Sequence, residues 1–73
     1  MDSDELRRTM IRYLEYLGIW SEIVPVVLGM VNQTPDGLVE LAFYVLDQGR
    51  GLTQKKLVDK AMSIWRTAHP DAA

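Results

Sequence analysis

Ser21-Glu22-Ile23-Val24-Pro25-Val26-Val27-Leu28-Gly29-Met30-Val31-Asn32 is the stretch on which the fold turns. As a strand it would make the chain mixed; as a helix it makes the chain all-α. Ile23, Val24, Val26, Val27 and Val31 are β-branched, which favours a strand. Ser21 followed by Glu22 resembles a helix start, yet Pro25 comes only a turn later and Gly29 interrupts the run. Alternation does not decide, because both parities are apolar. A strand needs a partner strand, and no other stretch of the chain offers one. The segment is therefore read as a helix among helices.

Its neighbours carry clearer periodicity. From Asp4 to Leu17, Leu6, Met10, Tyr13, Leu14 and Leu17 fall on one helical face, with Arg8, Arg12 and Glu15 opposite. Ser3 is placed to cap this helix, Asp4 and Glu5 suit the positive end of its dipole, and Gly18 suits its termination. Downstream, Thr34 as cap, Pro35 as first helical residue and Asp36 after it predict a helix start. Leu38, Leu41, Ala42, Val45 and Leu46 make one face, widened by Val39, Phe43 and Tyr44, and Gly49-Arg50-Gly51 ends the element. A last helix is expected from Gln54 to about Ala68, capped by Thr53 and stopped by His69-Pro70. Leu57, Ala61, Ile64, Trp65 and Ala68 are its inner face. The expected architecture is all-α, a small four-helix bundle spanning residues 1–73 as one domain, with loose ends at 1–3 and 69–73.

Length and composition narrow the function classes. The chain has 73 residues, 48% of them hydrophobic, with no Cys and a net charge of −2. Disulfide frameworks and cysteine-based metal sites are thereby excluded, so packing alone must supply stability. The longest nearly apolar stretch, Ile19 to Val31, falls short of the roughly 20 residues of a membrane span. The start, Met1 to Arg8, is acidic and polar, unlike a secretory signal. A cytoplasmic protein with no membrane contact is expected, and Met1 with a loose C-terminal end points to a complete short chain.

The middle two segments are apolar over most of their circumference, and only two amphipathic helices remain to cover them. A helix apolar nearly all round must be surrounded. Each large apolar side chain left exposed forgoes about 1.5–3 kcal/mol. A homodimer would bury that surplus and reinforce a chain of marginal size. Trp20, Met30, Phe43 and Tyr44 are its expected interface residues, since aromatic side chains commonly anchor interfaces.

Charge is unevenly placed. Residues 1–49 hold three basic and eight acidic groups, a local −5, whereas residues 50–73 carry a local +3. Arg50, Lys55, Lys56 and Lys60 are the expected partner- or anion-binding residues. Lys55 and Lys56 sit at the positive end of a helix, where a partner's carboxylates or a phosphate would relieve them. Catalysis is not expected. His69 lies beside Pro70 near the end, Ser3 and Ser21 serve better as caps, and Ser63 has no base in prospect. The acids Asp2, Asp4 and Glu5 lack the spacing and glycine turn of a calcium loop. No metal and no cofactor are expected. The leading expectation is a non-enzymatic module that works as a helical homodimer and binds a partner protein.

Leu38 to Met62, with Leu41, Leu46, Gly49, Leu52-Thr53-Gln54, Leu57 and Ala61, resembles the first two helices of winged-helix or helix-turn-helix DNA-binding domains. There a Gly-containing turn leads into a helix opening with LTQ-x-x-L. The resemblance covers about a third of the chain. It implies, as the alternative function, a nucleic-acid-binding regulator using the basic C-terminal helix. Beyond Met62 the chain departs from that pattern, since Ser63-Ile64-Trp65-Arg66 continues the same helical period. No recognition residues are carried over.

Overall fold

Helix is the secondary structure throughout the computed structural model, which describes residues 3–19, 22–33 and 36–72. Four α-helices follow in order: α1 (Ser3–Tyr16), α2 (Val24–Val31), α3 (Gly37–Gln48) and α4 (Gln54–Ala68). Short 3₁₀ turns occupy Gly49–Gly51 and Pro70–Ala72, and no strand occurs among the described residues. None of the helices is long and apolar enough to cross a membrane.

α2 resolves the ambiguous stretch, and the position of Pro25 explains how. Pro25 falls in the first turn, where its missing N–H has no intrahelical acceptor to lose. The hydrogen-bond ladder opens behind it, with the Val27 amide donating to the Ile23 carbonyl at 3.0 Å. Val24, Val27, Leu28 and Val31 are buried, the i, i+3, i+4, i+7 pattern of one helical face. The expected start at Ser21 lies outside the described residues; Glu22 and Ile23 form the turn before the helix.

The other termini follow local chemistry. α1 ends in a Schellman motif: Gly18 takes φ 80°, Ile19 N–H donates to the Leu14 carbonyl and Gly18 N–H to that of Glu15, both at 3.0 Å. The accompanying apolar pair, Ile19 and Leu14, is buried. Ser3, expected as the cap, is already the first helical residue. Thr53 caps α4 as expected, its hydroxyl accepting the Lys56 amide at 3.2 Å. α3 starts later than expected. Asp36 precedes it in the left-handed conformation, at φ 61°, and Gly37 is its first residue. A short polar side chain tolerates that conformation better than most. Thr34 and Pro35, the expected cap and first residue, lie outside the described residues.

α4 packs against α2 and α3, while α1 packs against α3 and α2, so α1 and α4 lie apart. The core draws on every element: Met10 and Leu14, then α2's four residues, then Leu38, Leu41 and Val45, then Leu57, Ala61 and Ile64, with Ile19 and Leu52 from the connections. The radius of gyration, 11.5 Å, matches the roughly 11 Å of a folded chain this long. Two residues assigned to inner faces are outside. Leu46 is exposed because the packed side of α3 is centred on Leu38, Leu41 and Val45, and Ala68 is exposed in the last turn of α4.

Candidate association surface

α3 carries two apolar stripes. One, Leu38, Leu41 and Val45, faces the core. The other, Val39, Phe43 and Leu46, follows i, i+4, i+7 along the opposite side, and its members are 43%, 70% and 64% exposed. No described residue covers this second stripe. Beside it, between α3 and α1, runs an apolar groove of about 130 Å³ lined by Leu6, Thr9, Met10, Tyr13, Ala42, Val45 and Leu46. Stripe and groove share Leu46 and so form one continuous surface.

The expected interface residues do not gather on it. Phe43 is its most exposed member. Tyr44, next in sequence, turns about 100° away, as helical geometry demands. It is half-buried at the α3–α4 seam, where Lys60 Nζ lies 5.4 Å from its ring centroid and 3.5 Å from Glu40 Oε1. Met30 is half-buried on α2. Trp20 lies outside the described residues. Val39, Leu46 and the groove residues of α1 are not among the expected interface residues, although the 39–43–46 spacing reads as a second helical face.

The basic residues are engaged within the chain. Arg50 Nη2 donates to the Tyr16 hydroxyl at 3.0 Å, with Cζ 6.0 Å from that ring's centroid, beside an open hollow of about 360 Å³ that Leu17 also lines. Lys55 pairs with Asp59 at 2.9 Å. Lys56 Nζ donates to the Gly51 carbonyl at 3.3 Å and to Gln48 Oε1 at 3.4 Å. The acceptors expected from a bound anion at the start of α4 are thus supplied by the chain's own turn. With Lys60 held at the α3–α4 seam, these cations spread along α4 and its leading turn rather than converging on one point.

Among the described residues, groups with catalytic potential are dispersed. The His69 ring stacks on Trp65, with centroids 4.5 Å apart, and its Nδ1 donates to the Trp65 carbonyl at 2.9 Å. Among the described residues no three His, Asp or Glu side chains gather as a metal site. Asp4 reaches Arg7 at 3.5 Å, while Asp2 lies outside the described residues. α4 continues unbroken through Met62 to Ala68, so no turn and third helix follow there in helix-turn-helix fashion. No protein-family model, curated protein or solved structure matches the chain.

Proposed function

We propose that this protein is a non-enzymatic association module that acts as a helical homodimer and binds a partner protein. The observation that carries the reading is the uncovered stripe Val39, Phe43 and Leu46, continuous with the α1–α3 groove. Burying one large apolar side chain contributes about 1.5–3 kcal/mol. Three such groups and a groove give a second copy something to gain, even after the losses of association are subtracted. The second half of the reading rests on charge. Arg50, Lys55 and Lys56 are exposed on a segment of local charge +3, which suits an acidic partner. The Lys55–Asp59 pair is exposed on both sides, and such surface pairs contribute only about 0–1 kcal/mol, so Lys55 exchanges partners readily.

Sedimentation equilibrium on wild type and Phe43→Glu tests the homodimer. Wild type is expected to be dimeric at micromolar concentration. Phe43→Glu is expected to be monomeric with unchanged helical circular dichroism, because the side chain is 70% exposed in the single chain. A wild-type monomer even at millimolar concentration would refute the homodimer.

A further inference from the structure

The uncovered stripe and the groove beside it differ in shape, and the difference says how two copies meet. Phe43 projects from α3 as the most exposed large apolar side chain of the described residues. The groove, about 130 Å³, is close to the roughly 150 Å³ in which an engineered apolar cavity holds a benzene molecule. A knob and a socket of matching size therefore lie side by side on one face. Two-fold symmetry requires this self-complementarity: residue i of one copy meets j of the other, and j meets i.

Charge at the rims agrees. Asp47 follows Phe43 by four residues, about 40° around α3, and so shares the knob's side of the helix. Arg12 follows Thr9 by three residues, about 60° around α1, and so stands on the outer rim of the groove. Both are exposed, and neither forms an ion pair with any described residue. A ring entering the groove from a second copy would bring that copy's Asp47 toward Arg12, leaving each copy with one matched pair.

We infer that the occupant of the α1–α3 groove is the Phe43 ring of a second copy, inserted reciprocally and framed by Arg12–Asp47 pairs between the copies. This rests on the homodimer reading and specifies its contact. A flat stripe-on-stripe dimer, in which the two α3 helices meet through Val39 and Phe43 alone, is the competing arrangement.

Isotope-filtered NMR on a mixture of ¹³C-labelled and unlabelled full-length chains separates the two. Phe43 is the only phenylalanine, so its ring signals are unambiguous. The expected result is intermolecular contact from this ring to methyl groups of Leu6, Met10 and Ala42. Contact only to Val39 and Phe43 of the other copy would overturn the inference and leave the homodimer standing. Absence of a dimer in sedimentation would remove both. Charge reversal supplies a second readout on exposed residues that the fold does not need. Arg12→Asp and Asp47→Arg are each expected to weaken dimerisation about two- to fivefold, as an exposed ion pair allows. The double variant is expected to recover wild-type affinity at low salt; a double variant as weak as the singles would overturn the rim pairing.

Discussion

Leu41 and Leu46 sit five residues apart on one helix, with the same side chain and opposite surroundings. Leu41 is fully buried against the other helices, whereas Leu46 is 64% exposed. In the monomeric Phe43→Glu background, Leu41→Ala is expected to destabilise by about 2–5 kcal/mol, through lost transfer energy and a residual cavity. Leu46→Ala in the same background is expected to change stability by less than about 0.5 kcal/mol. Urea denaturation of the two variants checks the contrast, and equal losses would mean that the single-chain core is drawn wrongly. Backbone conformation sets a second residue-level constraint. Gly49 takes φ 54° and ψ −130°, outside the regions open to ordinary L residues, although a Cβ there would meet no atom within 4 Å. Gly49→Ala is thus expected to cost about 1–3 kcal/mol through strain alone, measured by the same denaturation.

At the scale of the element, α2 is the least ordinary piece. Its eight residues, Val24–Val31, contain no polar side chain. Four of them are buried, and Pro25, Val26 and Gly29 face outward. Neither intrinsic propensity nor alternation favours a helix here, so packing holds it: the buried face lies against α4, α3 and α1. Gly29 tests that view. It lies in the helix without positive φ, and an added Cβ would meet no atom within 4 Å. Gly29→Ala is therefore expected to stabilise by about 0.5–1 kcal/mol, by relieving the entropy loss of a helical glycine. A midpoint of thermal unfolding that falls instead would show that the backbone of α2 is needed bare. The contrast with Gly49 is instructive, since the same substitution in equally open space reverses sign with φ.

For the whole molecule, the limiting quantity is the interior that 73 residues can enclose. A chain of this size buries a smaller fraction of its surface than a larger domain does, so its stability is modest and association matters more. An ordinary interface takes about 800 Å² from each partner, which would be about a sixth of the 5009 Å² surface of this chain. If the dimer is the working form, the midpoint of thermal unfolding rises with protein concentration for wild type and stays flat for Phe43→Glu. The nucleic-acid alternative is separable by titration. With a net charge of −2 and the cations of α4 dispersed, anisotropy of labelled duplex DNA is expected to show no binding at physiological salt. Saturable binding there, lost steeply as salt rises, would restore the alternative.

Amphipathic spacing, a threonine cap and glycine stops were enough to determine α1, α3 and α4, the bounds of α4 and most of the core, because these signals act over one or two turns. By contrast, α2 reads as a helix only because no partner strand is in sight. The surplus of apolar surface was legible too, but its location was not. Which side of α3 stays uncovered depends on where α1, α2 and α4 come to rest, and that is set by contacts between residues far apart in sequence. Only the tertiary structure therefore half-covered Tyr44 while leaving Phe43 exposed, moved Leu46 from inside to outside and opened a groove beside the exposed ring. A helix with two apolar stripes can bury either one, and the neighbouring helices decide which.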